Sequence, residues 1–261
     1  VDVKLVDTPG HVDFVSEVER CMRVLDGAVL IVSAVEGVQA QTEVIWHALR
    51  DLRIPTLIYV NKMDRIGAEP ERVMDDIRRH LSADAIPVQA PIGAEAAFAG
   101  TVDLLTDPER TDPDALRYAA LLTEAVAEKD DALLAAYLDE GELSAGAIAS
   151  VLPRLVADNR LFPVMFGASG RGIGADKLMD AIAALLPGPN GAADGPVSGV
   201  VFKIERDPSM GRVAYVRLYS GTIRNRDLVA NHTQGIEEKA TQIRVADGRR
   251  GGDIGVLEAG D

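Results

Sequence analysis

Ala28 to Ala34, AVLIVSA, is a short apolar run, and it constrains the fold more than any other stretch of this chain. A strand wetted on one face alternates apolar and polar residues; a strand covered on both faces does not. Thr56 to Val60, opened by Pro55, and Leu161 to Phe166 are runs of the same kind. Helical spacing fills the gaps between them. Val38, Gln41, Ile45, Leu49 and Leu52 predict one helix, Val73, Ile77 and Leu81 a second, and Lys177 to Leu186 a third. Doubly covered strands alternating with helices predict an α/β parallel sheet with right-handed crossovers and helices on both faces.

Ahead of the first run, Val1, Val3 and Leu5 alternate with Asp2 and Lys4, and Val6 extends the pattern into Asp7. This predicts a further strand feeding a turn. Val15, Val18, Met22 and Leu25 predict a helix, closed by Gly27 in the way glycine commonly closes one. Residues 87–113 read as irregular and 115–138 as one or two helices, so 87–160 is expected to be an insertion. Residues 188–196, rich in proline, glycine and alanine, read as a linker. After it, Val197 to Glu205, Val213 to Tyr219, Ile223 to Val229 and Lys239 to Val245 predict short strands of a small antiparallel β-barrel. The expected domains are therefore 1–187, α/β, and 197–261, barrel.

Composition narrows the classes. The 261 residues suffice for one large domain or two ordinary ones, and aromatics at 4% predict an aliphatic core. The formal charge of −14 argues against a generic nucleic-acid coat, which is basic; DNA is not an expected partner. The single Cys21 rules out an internal disulfide framework and fits a reducing compartment. With no apolar run of spanning length, no membrane is expected, and a cytoplasmic monomer is the expectation.

Three short motifs carry chemistry, each after a predicted strand. Asp7-Thr8-Pro9-Gly10-His11 comes first. An aspartate at the C-terminal end of a buried strand sits where α/β sheets bind ligands, and can hold a magnesium ion through water. Gly10 lets the backbone approach a terminal phosphate, and His11 can orient an attacking water. The bland alternative is a capped turn. Second is Asn61-Lys62-Met63-Asp64. Guanine presents N1–H and an N2 amino group side by side. A carboxylate such as Asp64 accepts from both, and adenine offers no such pair. Asn61 can tie the loop to its neighbours, and the aliphatic stem of Lys62 can cover a purine face. A solvated turn is the alternative. Third is the glycine-rich turn Phe166 to Gly174, in which a backbone N–H near Ala168-Ser169 can meet a guanine O6.

The order of the three resembles the translational GTPases. Asp7 to His11 is similar to their third guanine-nucleotide motif, Asn61 to Asp64 to their fourth, and Ala168-Ser169, with its serine and alanine reversed, to their fifth. GVQAQTEVIWHALRDLRIPTL, PIGAEAAFAGTVDLL and VFKIERDPSMGRVAYVRLYSG extend the likeness to elongation factor G and the tetracycline ribosomal-protection proteins. HALRDLRIPT and AYVRLYSG sit closer to the protection proteins, NKMDRIGA and PIGAEAAF to elongation factor G; the balance leans to protection. The resemblance implies a P-loop-NTPase-like sheet, GTP and GDP with Mg2+, ribosome-stimulated hydrolysis with His11 placing the water, and the ribosome with its RNA as partner. One departure is large. No Gly-x-x-x-x-Gly-Lys-Ser/Thr occurs in the 261 residues, and the resemblance puts that loop and the first switch upstream of Val1. The family's sheet also has a strand between those of DTPGH and AVLIVSA, so these two are expected either to flank a gap or to close up. A catalytically silent binding module is the remaining alternative.

Trp46 is expected as a helix-face anchor, Cys21 as packing, and Asp130-Asp131 as a solvated face. His47, His80 and His232 have no second ligand at metal spacing.

Overall fold

The computed structural model describes residues 3–8, 15–106, 112–244 and 252–261. In chain order its first unit, Val1–Pro187, runs α1 (Val15–Met22), β1 (Ala28–Ser33), α2 (Ala40–Asp51), β2 (Thr56–Asn61), α3 (Pro70–His80), β3 (Ala85–Pro87), β4 (Gln89–Ile92), β5 (Gly100–Asp103), α4 (Pro113–Ala127), α5 (Asp131–Glu140), α6 (Ala145–Ala157), β6 (Phe162–Phe166) and α7 (Ala175–Leu185).

Strands β1, β2, β6 and β3 form a parallel sheet in that order. Successive side chains point to opposite faces, which is why uniformly apolar runs build two cores. Leu30, Val32, Ile58 and Val60 join Trp46 of α2 and Val73, Met74 and Ile77 of α3 on one face. Leu57, Tyr59 and Met165 join Leu122, Leu152 and Leu185 from α4, α6 and α7 on the other. Trp46 anchors its helix twice: its ring stands edge-on to Phe162 at 4.8 Å, and Nε1–H donates to Leu81 O at 2.8 Å. The fold class is α/β with helices on both faces of a parallel sheet.

Local chemistry sets the helix ends. Asp112 caps α4, its carboxylate accepting from the N–H groups of Asp114 and Ala115 at 3.0 and 3.1 Å, with Pro113 in the first turn. Asp130, expected on a solvated face, instead caps α5 and pairs with Arg154. The Leu133 N–H and, after it, the Arg154 charge hold its carboxyl below the ordinary range.

Several expectations fail in instructive ways. Residues 3–8 form no strand, and Leu5 is 84% exposed. The alternation Val3, Leu5 suits a strand, but propensity without a partner ladder does not make one. The sheet has not closed up over them: among the described residues β1 is its edge strand, with Ile31 61% exposed. Gly27 does not close α1, which ends at Met22; its lack of a side chain matters because a Cβ there would lie 2.8 Å from Leu186 Cδ1. Residues 87–113 are not simply irregular: β4 and β5 pair antiparallel, Gln89 opposite Asp103 through Ile92 opposite Gly100.

The second unit, Gly188–Asp261, contains β7 (Ser198–Asp207), β8 (Gly211–Ser220), β9 (Thr222–Arg224), β10 (Leu228–Asn231), β11 (Ile236–Lys239) and β12 (Val256–Glu258). They pair antiparallel as β7 with β8, β9 with β12 and β10 with β11, around Leu218, Ile223 and Ile243. The expected strand Ile223 to Val229 is broken in two. Asp227 accepts from Arg224 N–H at 2.7 Å and closes a turn with Arg226 at φ +74°. The expected strand Lys239 to Val245 begins earlier and stops at Lys239; Val245 lies outside the described residues.

Candidate functional site

Parallel pairing brings three strand ends together. Ser33 is level with Asn61 across β1 and β2, and Val60 with Phe166 across β2 and β6. The loops that leave these C-terminal ends lie side by side, where open α/β sheets bind ligands.

Asn61 joins two of them. Its Oδ1 accepts from the N–H groups of Lys62 at 2.8 Å and Ser169 at 3.0 Å, and its Nδ2 donates to Ser169 Oγ at 2.9 Å. The Met63 N–H donates to Gly167 O at 3.1 Å, and Gly167 N–H to Val60 O at 2.9 Å. Met63 and Ala168 are fully buried, so each of these two loops has an apolar root. Gly167 is required by closeness: a Cβ would fall 1.8 Å from Tyr59 Oη and 2.7 Å from Ile173 O. That Tyr59 hydroxyl donates to Ile173 O at 3.3 Å, and burial, then the Asp176 charge, push its pKa up.

Lys62 has φ +66°, a left-handed conformation sparsely used by non-glycine residues and concentrated at functional sites. Its ammonium pairs with Glu36 of the loop after β1 at 3.3 Å. Ser33 and then Lys62 hold the Glu36 carboxyl below the ordinary range. Both partners are half exposed, so solvent screens the pair and it adds little to stability. Asp64 is partly exposed, and its carboxylate makes no hydrogen bond or ion pair among the described residues. It is an open pair of acceptors on a braced loop.

The resemblance assigns Asp7 to His11 to the phosphate end. Asp7 is exposed and Thr8 partly so, both in the irregular stretch 3–8. Pro9, Gly10 and His11 lie outside the described residues. The structure thus brings together Asn61, Lys62, Met63, Asp64, Ala168 and Ser169, and does not join Asp7 to them through the sheet. The Ser169 N–H, a candidate for guanine O6, is engaged by Asn61. The two acceptor oxygens of Asp64 fit the paired N1–H and N2–H donors of a guanine base. For magnesium, which needs one or two protein oxygens beside phosphates, Asp7 and Thr8 carry oxygens of the right kind.

Sequence reasoning gave no role to Glu95 or Glu36. Glu95, in the β4–β5 turn, donates its N–H to Met63 O at 2.8 Å and accepts Gly67 N–H at 2.6 Å. The signal was the PIGAEAAF stretch, visible as a likeness but silent about what its glutamate touches.

These features define an α/β domain whose loops gather at the C-terminal ends of a parallel sheet around an open carboxylate. Comparison with known proteins carries the assignment further. Residues 1–188 match the family model described as elongation factor Tu GTP binding domain, and residues 196–261 the model for elongation factor G domain 2. The chain belongs to this family, the translational GTPases, in the branch that holds elongation factor G and the tetracycline-resistance proteins. It is 36% identical to Elongation factor G 2 of Syntrophomonas wolfei subsp. wolfei, over 92% of this chain and 40% of that protein. It is 45% identical to the Oxytetracycline resistance protein of Streptomyces rimosus, over 92% of this chain and 36% of that protein. A crystal structure of a Thermus thermophilus protein superposes with a TM-score of 0.81 at 28% identity, covering 97% of this chain and 40% of that one. The chain spans about two fifths of the length of the curated relatives it matches.

Proposed function

We propose that the intact protein is a ribosome-stimulated GTPase of the ribosomal-protection kind. The observation that carries the reading is the Asn61-braced loop, which holds the Asp64 carboxylate partly exposed beside the Ser169 turn. Asp64 accepts guanine N1–H and N2–H together, the Lys62 stem covers one purine face, and the Ala168-Ser169 turn, whose N–H groups donate to Ile173 O and Asn61 Oδ1, holds the Asn61 end of the loop. Asp7 holds magnesium through water and Thr8 lies beside it. Gly10, following Pro9, offers its N–H to the terminal phosphate, and loss of that phosphate releases the loop. His11 positions the attacking water with help from ribosomal RNA; catalysis is placement and electrostatics. Magnesium, when bound, neutralises charge on the phosphates. The domains that serve this reading are 1–187 for the nucleotide, with 87–160 inserted, and 197–261 as the barrel.

The test is Asp64→Asn in the intact protein, comparing guanine with xanthine nucleotides. The amide replaces one acceptor by a donor. Guanine preference is expected to fall by about 10²–10⁴-fold, two charge-assisted hydrogen bonds at about 1.5–3 kcal/mol each. An unchanged preference contradicts the role given to Asp64.

Protection is favoured over translocation by the 45% identity to the resistance protein against 36% to the elongation factor. The match of residues 196–261 to elongation factor G domain 2 supports translocation as the second reading. Expressing the full gene in a tetracycline-sensitive host separates them. Protection raises the minimum inhibitory concentration of tetracycline, and translocation leaves it unchanged.

A further inference from the structure

We propose that Glu95 is a positioning residue for base recognition, acting from the β4–β5 turn on the loop that carries Asp64. The inference rests on the base-reading role of Asp64 proposed above. With no hydrogen-bond partner among the described residues, the Asp64 carboxylate is aimed by its backbone alone. Glu95 holds that backbone at both ends of the stretch 63–67: its own N–H donates to Met63 O at 2.8 Å, and its Oε1 accepts the Gly67 N–H at 2.6 Å. One residue therefore brackets the base-reading carboxylate.

The turn is built to present it. Glu95 has φ +53°, a left-handed conformation that a non-glycine residue keeps only when its surroundings over-determine it. Phe98, 1% exposed, plugs the turn into the same core as Met63, and its N–H donates to Glu95 O at 3.0 Å. Gly93, at φ +72°, leaves no room for a Cβ, which would lie 2.5 Å from Ala97 O. The hairpin also grips the other base-side loop and its helix. Arg171 Nη1 donates to Phe98 O at 3.2 Å, and Lys177 Nζ to Thr101 O at 2.6 Å. A displacement of this hairpin is thereby felt at both loops through these hydrogen bonds.

The experiment uses the intact protein with fluorescent GDP as probe, and wild type, Glu95→Gln, Glu95→Asp, Glu95→Ala and Asp64→Asn as variants. Glutamine keeps the acceptor oxygen; aspartate keeps the charge but shortens the reach by one methylene; alanine removes both. GDP dissociation is expected about 10-fold faster for Glu95→Ala and Glu95→Asp, and within about twofold of wild type for Glu95→Gln. In the nucleotide-free protein, hydrogen exchange at the Gly67 amide is expected to accelerate in the same order, with thermal midpoints close together; a general structural role would instead lower the midpoints. If alanine fails to fold, aspartate against glutamine carries the same contrast. The proposal is overturned if dissociation and Gly67 exchange are unchanged in the alanine and aspartate variants while Asp64→Asn does lose guanine preference; the base assignment then survives alone. Equal acceleration in glutamine and alanine also overturns it, since the acceptor bond is then not the cause. If Asp64→Asn keeps its guanine preference, the base assignment falls and the positioning role falls with it.

Discussion

The two ends of the candidate site are built from similar sequence material and come out differently. At the base end, Asn61 to Asp64 leaves a strand with neighbours on both sides, and Asn61, Met63 and Glu95 fasten the loop with hydrogen bonds to two other segments. At the phosphate end, Asp7 and Thr8 close a stretch, 3–8, that alternates like a strand yet forms none. The contrast teaches that a site residue is as well placed as the ladder behind it. Motif chemistry alone says which atoms can recognise a ligand; strand neighbours decide whether those atoms are held.

The largest test of that contrast pairs two leucines. Leu57, fully buried in β2 behind the base loop, should cost about 2–5 kcal/mol when changed to alanine. Leu5→Ala, at a mostly exposed position, should stay within about 0.5 kcal/mol. Chemical denaturation of the 261-residue chain measures both, and equal effects break the comparison. Next comes Gly167→Ala, which forces a Cβ onto Tyr59 and Ile173 O. A cost of about 1–3 kcal/mol is expected, roughly 2–4 °C of thermal midpoint per kcal/mol in a unit of this size. A neutral result shows that the root of the Ser169 turn yields more easily than its geometry implies.

Much of this architecture is legible in the sequence because burial on both faces leaves a direct mark: AVLIVSA, TLIYV and LFPVMF read as strands and are strands. Asn61 to Asp64 is equally legible as a strand-end loop, since it follows such a run. Three things are not. The β4–β5 hairpin hides among prolines and small residues, whose pairing comes from packing against α4 and β6 rather than from an alternating pattern. Glu95 hides because its role lies in a contact 28 positions from Gly67. And Val3 to Val6 misleads because alternation reports that a segment can pair, not that a partner is there.

Asn61→Ala sharpens the comparison from the polar side. It removes three hydrogen bonds, two of them between the two loops, so a loss of about 1–3 kcal/mol is expected in denaturant unfolding. A loss no larger than that of an exposed asparagine would mean that the apolar roots at Met63 and Ala168 hold the loops unaided.

The smallest effect is a control away from the site. Glu71 of α3 accepts from Arg117 and, at 2.6 Å, from Tyr118 of α4. Burial pushes its carboxyl up, but those hydrogen bonds and the Arg117 and Arg78 charges outweigh it and leave it below the ordinary range. A carboxyl lowered by folding stabilises above its unfolded pKa, about 4.3, and that contribution is lost as pH falls through the folded value. Glu71→Gln should therefore be less stable than wild type at neutral pH, by under about 1 kcal/mol because the side chain is 60% exposed, and the gap should close under acid. Denaturation curves from neutral pH down to acid check the sign; a gap that widens under acid contradicts it.

The most direct measurement is amide hydrogen exchange on the 261-residue chain, read at both ends of the site. Met63 and Gly167, whose N–H groups donate to Gly167 O and Val60 O, are predicted to exchange only with opening of the sheet. Leu5, Val6 and Asp7 are predicted to exchange almost as fast as an unstructured peptide. Comparable protection at the two ends would contradict the account.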